Sequence, residues 1–153
     1  MAAQLNYSYD TAKAVAGAKV DLADDVVATR RNEEADGTIK YGMAVAVGTT
    51  VGKTVKKVAS ASDSIEGVVI CHPNTEMDME GNVIVKKNAS LGIMKHGHIW
   101  GRVAEGVTPT YGASAKVVAT GDDAGCFTSG EGIEIGATFG NETDDGIAII
   151  VLK

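Results

Sequence analysis

The chain has 153 residues, a length typical of one domain that removes about 70% of its extended surface from water on folding. Its 14 basic and 20 acidic residues give a formal net charge of −6, which argues against binding to the phosphate backbone of nucleic acids. Its apolar runs are too short for a membrane-spanning helix, and its first residues lack a signal-peptide pattern. We therefore expect an acidic, soluble protein made and kept in a cytoplasm, with neither nucleic acid nor a membrane as its partner.

Residues 1–25 differ from the rest of the chain and predict an N-terminal arm. Leu5, Tyr7 and Tyr9 lie near its start, small residues fill its middle, and it closes with an acidic stretch. The pattern over residues 11–18 fits either a short capped helix or an extended segment with one weak helical turn. Such an arm buries little surface by itself, so an ordered arm must lie on something else.

Residues 26–153 predict a β-domain, because short runs of apolar and β-branched residues alternate with Gly, Asn and Asp turn signals. The count of about ten short strands is typical of a barrel or sandwich. The expected fold is thus all-β, a small β-barrel or β-sandwich with an extended N-terminal arm. After a first strand that starts near residue 26, we expect strands at 39–47, 51–58, 64–71, 83–85, 91–94, 97–103, 115–118, 126–128, 133–139 and 146–152.

The stretch GHIWGRV, residues 97–103, holds the only tryptophan and is bracketed by glycines. Read as a strand, it puts His98, Trp100 and Arg102 on one face, because successive side chains point to opposite faces. This content predicts a central strand. Trp100 could be a sugar-stacking platform, but a strand residue packed at a core edge or a subunit contact is the favoured interpretation.

The stretch GTTVGKT, residues 48–54, resembles a phosphate-binding loop but fails on spacing. It has three residues between its glycines where the Walker A pattern has four. The residues that follow have strand composition, whereas a phosphate-binding loop needs a helix there to direct its amides at the phosphate. We expect this stretch to be a turn that closes the preceding strand.

The remaining polar motifs predict no catalytic residue, metal or cofactor. His96 and His98 share a strand face, but no third ligand with metal-site spacing accompanies them or His72. Cys71 and Cys126 lie far apart and are expected to be buried small hydrophobic residues. The acidic loops lack the spacing of a calcium-binding loop and are expected to be solvated turns. The protein is therefore not expected to be an enzyme.

Four stretches together resemble the cement or decoration proteins of tailed-bacteriophage capsids. They are NYSYDTAKAVAGAKVD, IKYGMAVAVG, SIEGVVI and GHIWGRVAEGVTPTYGASAKVV, which follow one another over most of the chain. The Tyr9-Asp10 and Trp100-Gly101 neighbourhoods carry most of the similarity. The chain departs from the family pattern at residues 110–112, which read Thr-Tyr-Gly where a Gly-Asp pair is expected.

The resemblance implies a structural protein of the virion that binds the outer face of the expanded phage head. It implies that the protein bridges neighbouring major capsid subunits, commonly as a homotrimer near a local threefold axis. Leu5, Tyr7 and Tyr9 are then the candidate anchors of the arm, since Tyr adds contact area with few torsions to restrict. Trp100 is the fourth candidate contact residue. A carbohydrate- or receptor-binding β-module of a virion, argued from Trp100, stays open as the alternative.

Overall fold

The computed structural model describes residues 13–73 and 76–153, and these residues form nine β-strands and no helix. None of the described residues belongs to a helix that could cross a membrane. The all-β prediction is confirmed. The strands are β1 (Val26–Asn32), β2 (Ala44–Val47), β3 (Thr54–Lys57), β4 (Ile65–Val69), β5 (Ser90–Arg102), β6 (Ser114–Val117), β7 (Phe127–Thr128), β8 (Ile133–Asp144) and β9 (Ile147–Leu152).

The first five strands form a closed barrel in the order β1-β3-β2-β4-β5, which returns to β1. All the pairings in this barrel are antiparallel except that of β1 with β3, where Arg31 lies opposite Thr54 and Asn32 opposite Val55. The β1–β5 ladder is longer and runs from Val26 to Arg31 on the β1 side. Closure pairs the strands on both sides and leaves few free edges.

The second half of the chain continues the sheet from β5 in the order β5-β9-β8-β6-β7, with every pairing antiparallel. A parallel bridge between Val103 and Phe127 brings β7 back beside the end of β5. The 13-residue strand β5 therefore belongs to both halves of the fold. Its position confirms that GHIWGRV lies in a central strand.

Two large apolar cores pack on opposite faces of the barrel strands. The larger core lies between the two halves of the fold, because it combines Phe127 and Phe139 of the second half with Ala44 and Val68 of the barrel, and it includes Ile99 from β5. The smaller core lies inside the barrel and includes Ile93 from the first part of β5. The side chains of β5 are thus buried along most of its length, which explains its apolar, Gly-rich sequence.

Two predicted strands, at residues 91–94 and 97–103, are one continuous strand in the structure. Gly97 has a φ of 123°, and a Cβ atom there would lie 2.9 Å from the Cβ of Asp25. This glycine lets β5 continue past a point where it changes neighbours, because β1 ends its pairing at His96. A glycine that looked like a break is therefore a bend within one strand.

Other predicted strand residues are buried without joining a ladder. Residues 39–43 form turns, although Ile39 and Tyr41 are buried, so the strand predicted over 39–47 is limited to β2. The strand predicted over 83–85 is reduced to one bridge between Val83 and Met77. The acidic stretch expected as a loop near residue 144 belongs mostly to β8. The total is nine strands, close to the number expected.

Candidate functional site

Residues 13–20 lie along the second part of β5 and bond to it through their backbone. The Gly17 N–H donates to the Trp100 carbonyl at 2.7 Å, and the Trp100 N–H donates to the Ala18 carbonyl at 2.9 Å. The Val20 N–H donates to the His98 carbonyl at 3.2 Å. These residues are extended around a turn at Gly17, and no described residue in 13–18 is helical. We call residues 13–20 the arm root, and in this described part of the predicted arm the extended alternative is the one observed.

Gly17 is the residue that lets the arm root lie so close to the barrel. Its φ is +84°, which L side chains rarely adopt. A Cβ atom there would lie 2.7 Å from the Cys71 nitrogen and 2.9 Å from the Val69 carbonyl oxygen. The Gly17 carbonyl also accepts a bond from the Cys71 N–H at 2.9 Å. One turn therefore connects the arm root to β5 and to the end of β4.

The arm root covers a small apolar cluster on the outside of β5 and β9. Trp100, Ile147 and Ile149 form this cluster, and Trp100 is only 5% exposed. The covering side chains come from alternate positions of the arm root, Ala14, Ala16, Ala18 and Val20. Alanines allow the backbone to approach the indole closely. Trp100 therefore holds the chain's own arm root, which agrees with the predicted position at a core edge.

The start of the arm root is attached at the β8–β9 turn. The Lys13 N–H donates to Asp144 Oδ2 at 2.8 Å, and its Nζ lies 3.4 Å from the Thr143 carbonyl oxygen. Backbone N–H donors from Asp145 and Lys13 lower the pKa of Asp144 below its ordinary value. Lys13, the first described residue, is therefore attached at a defined place on the surface. The candidate contacts in this stretch, Leu5, Tyr7 and Tyr9, lie outside the described residues.

An acidic segment, residues 21–25, connects the arm root to β1. His98 Nδ1 lies 2.7 Å from Asp21 Oδ2, and this hydrogen bond is the main cause that lowers the pKa of Asp21. Lys19 forms an ion pair with Asp25. The first pair holds Asp21 against β5 and the second holds Asp25 against the arm root, while Leu22 between them is fully exposed.

A groove beside the arm root has a volume of about 820 Å³. Val15, Tyr41, His72 and Arg102 are among its lining residues. The Tyr41 hydroxyl lies 3.2 Å from His72 Nε2, and Arg102 Nε donates to the Tyr41 carbonyl at 2.7 Å. These polar groups therefore bond to one another along one wall of the groove.

The GTTVGKT stretch adopts the turn that was predicted for it, whereas Cys71 and Cys126 are half-buried and not fully buried as expected. Residues 48–53 form the turn between β2 and β3, with Thr49 bonded to Glu33. His98 and His72 bond to different partners, and no three potential ligands among the described residues could hold a metal ion. Burial raises the pKa of Cys71 and of Cys126, which is opposite to the change an activated thiol requires.

The packing role of residues 14–20 was not predicted from the sequence. The signal was the alternation of small residues, because Ala14, Ala16, Ala18 and Val20 recur with a period of two. This period belongs to a strand-like segment with one buried face. Small side chains on that face indicate a close approach to a bulky neighbour, which in this fold is Trp100.

Comparisons with known proteins agree with this architecture. A family model described as "Structural cement protein (E217 gp24/Pam3 gp6)" matches residues 3–153. The chain belongs to this phage cement protein family. The family is one of structural proteins, so the cement protein is a structural component of the virion. The resemblance seen in the sequence is confirmed.

No curated protein sequence matches this cement protein. Among solved structures, it is similar to a chain in "The capsid of Myoviridae Phage XM1", with a TM-score of 0.79 and 14% sequence identity. The match covers 100% of this chain and 98% of that chain. At this identity the similarity shows a shared fold, and it extends over the whole of the cement protein.

Proposed function

We propose that this cement protein binds the outer surface of the phage capsid and stabilises the expanded head by bridging neighbouring major capsid subunits. In this proposal residues 1–12 make the reaching contact, with Leu5, Tyr7 and Tyr9 as its anchors. The barrel and its attached sheet stay on one site of the shell. The protein needs no catalytic chemistry for this role.

The observation that carries the proposal is the attachment of the arm root. Backbone bonds to Trp100 and His98, together with the bond from Lys13 to Asp144, determine where residues 1–12 begin on the folded domain. A contact made by those residues would therefore be connected through the arm root to β5 and the barrel. This is what a protein needs if it is to connect two neighbouring subunits.

A homotrimer is the assembly that we propose for the bound protein. A cyclic trimer uses a heterologous interface that closes on itself, and three arms at one lattice point add their separate contacts. The net charge of −6 supports a site on the outside of the shell, because an acidic protein is repelled by packaged nucleic acid.

Trp100 contributes to capsid binding in this proposal by holding the arm root in place. At 5% exposure it has no free face for a ligand. A sugar ring that stacked on this indole would have to displace residues 14–20 first. No observation favours the carbohydrate-binding alternative over the cement role.

The proposal is tested by adding purified protein to expanded capsids that lack it. Particle melting temperature and electron-microscopy density at lattice positions are the two measurements. We expect wild-type protein to bind and to raise the melting temperature of the capsids. We expect the triple variant with Leu5→Ala, Tyr7→Ala and Tyr9→Ala to bind at least tenfold more weakly and to give little protection.

A matched control replaces the alternate arm positions, Gln4→Ala, Asn6→Ala and Ser8→Ala. This variant has the same number of substitutions in the same stretch, and it should protect capsids as the wild-type protein does. Equal loss in both triple variants would contradict the assignment of the three anchors. Absence of density for the wild-type protein on the capsid exterior would contradict the proposed function itself.

A further inference from the structure

The first half of β1 has an edge that no other described strand covers. β3 joins β1 only at Arg31 and Asn32, so residues 26–30 pair on one side alone, with β5. The turn that precedes β3 ends at Lys53, whose carbonyl accepts the Arg31 N–H at 2.9 Å. The barrel is therefore closed by β3 at the end of β1, while residues 26–30 at the start of β1 have no pairing strand on that side.

The hydrogen-bond pattern shows which peptide groups face this open edge. The Asn32 N–H donates inward to Ala89, and the Arg31 N–H donates outward to Lys53. Because strand residues alternate, the peptide groups of Val27 and Thr29 also point outward. Gly92, opposite Thr29, confirms this because its carbonyl bonds to Ile70 on the far side of β5. The N–H groups of Val27 and Thr29 have no acceptor among the described residues.

The side chains beside this edge are apolar and solvent-exposed. Val26 is 53% exposed and Val27 is 42% exposed, and Leu22 in the preceding acidic segment is fully exposed. An uncovered edge with exposed apolar residues is the form that accepts another strand. The stretch from Val26 to Thr29 contains no Lys, Pro or other residue that usually prevents such pairing.

Charges at the two ends of this edge have opposite signs. Asp24 lies just before β1, while Arg31 and Lys53 lie at its far end. In the described part of the chain none of these three side chains forms an ion pair. A second copy in antiparallel orientation brings the acidic end of one β1 beside the basic end of the other. A parallel copy would place like charges together.

We propose that the open edge of β1 pairs with the same edge of a second copy across a two-fold axis near Val27. This register uses the outward peptide groups of Val27 and Thr29 and ends before Arg31, whose outward N–H is already bonded. It joins two barrels into one continuous sheet. The contact does not involve residues 1–12, so it is independent of the arm proposed to reach the capsid.

The contact is small compared with the roughly 1,000 Å² that a stable protein–protein interface buries. It is therefore weakly populated in dilute protein and favoured where copies are held side by side at high effective concentration. A two-fold contact between trimers would connect cement proteins to one another across a lattice. This differs from a connection that runs only through the shell beneath them.

Disulfide trapping tests the contact in the full-length protein. In the proposed register the two copies of residue 27 form a hydrogen-bonded pair with Cα atoms about 5.5 Å apart, a distance that permits a disulfide. Val27→Cys should give covalent dimer under mild oxidation at high protein concentration, at least tenfold above Val51→Cys. Val51 is 80% exposed and provides the matched control, and wild-type protein gives the background from its own cysteines.

Backbone pairing is tested by adding Thr29→Pro to the Val27→Cys variant. Proline removes the outward N–H, which has no partner among residues 13–73 and 76–153, so the fold should survive while the covalent dimer is lost. Thr29→Ala keeps the N–H and should keep the dimer. Charge exchange provides a second test that does not depend on proline. Arg31→Glu or Asp24→Lys alone should lower the dimer yield severalfold, and the two together should restore it.

Three results would overturn the proposal. The first is a Val27→Cys yield equal to that of Val51→Cys. The second is a dimer that persists with Thr29→Pro in a folded protein, since the contact would then not be made by the strand backbone. The third is loss of the dimer when residues 1–12 are deleted, because the edge would then receive the arm of a neighbour and not its β1.

Discussion

Replacing Gly17 with alanine tests whether the arm root depends on one close backbone approach. The added methyl group would lie 2.7 Å from the Cys71 nitrogen and 2.9 Å from the Val69 oxygen. Both are backbone atoms and cannot rotate away as the end of a side chain can. The positive φ of +84° adds a second cost, which is independent of the contact.

The two costs can be separated and compared with what holds the arm root in place. The left-handed conformation costs about 1–2 kcal/mol for a residue with a Cβ atom. The steric contact adds about 1–3 kcal/mol, the usual range for overpacking. The four backbone hydrogen bonds between the arm root and the barrel contribute about 1 kcal/mol each. Because these sums are similar, we expect Gly17→Ala to release the arm root in a large fraction of molecules.

Trp100 provides the assay because it is the only tryptophan and lies beneath the arm root. Release of the arm root should shift the fluorescence emission of Trp100 to the red. It should also accelerate hydrogen exchange of the Trp100 backbone N–H, which bonds to the Ala18 carbonyl. The control is Gly52→Ala. Gly52 has a φ of +76° with nothing within 4 Å of the added methyl, so this variant has only the conformational cost. Identical emission and identical Trp100 exchange in both variants would refute the reasoning.

Two further predictions concern stability. Trp100→Ala should lower the free energy of unfolding by about 3 kcal/mol in denaturant titrations, because the cluster under the arm root loses most of its buried area. Trp100→Phe should lower it by less than half of that amount. Equal losses in the two variants would contradict a packing role for Trp100. Hydrogen bonds from Lys95 and Arg30 lower the pKa of Glu66 below its ordinary 4.5. Ionised Glu66 therefore contributes fully to the stability of the folded protein above pH 4.5, and this contribution is lost as the pH falls through the lowered pKa. Glu66→Gln should lower the free energy of unfolding by about 1–2 kcal/mol at pH 7, and it should make the melting temperature fall less steeply below pH 4.5. The control Glu131→Gln, in an exposed turn, should change neither quantity.

The strands β8 and β9 and the central position of β5 could be predicted from their apolar residues, but the predicted loop between β8 and β9 was too long because residues 140–144 belong to β8. The two cores required more than periodicity. Ile39 and Tyr41 are as apolar as strand residues, yet they are buried in turns that lie over the barrel. A run of apolar residues predicts burial, and the strand ladder depends on which backbone groups find partners.

The candidate contact residue Trp100 was likewise only partly predictable from the sequence. Trp100 could be predicted as important because it is unique and lies in a strongly patterned strand. Its cover by residues 14–20 depends on long-range pairing that no local pattern defines. The open edge of β1 could not be predicted either, because the sequence of β1 looks like that of any strand. The edge is unpaired because β3 begins opposite Arg31 and leaves the first half of β1 uncovered.

The long strand β5 determines how a force on the arm would spread through the molecule. Its 13 residues extend about 43 Å at 3.3 Å per residue, and its two ends belong to different halves of the fold. A pull directed along the arm root acts parallel to β5, so the bonds at His98 and Trp100 resist it together in shear. The same pull then reaches β9 and β1 through their ladders. Tension on one arm is thus distributed over both halves of the domain before any single hydrogen bond must break.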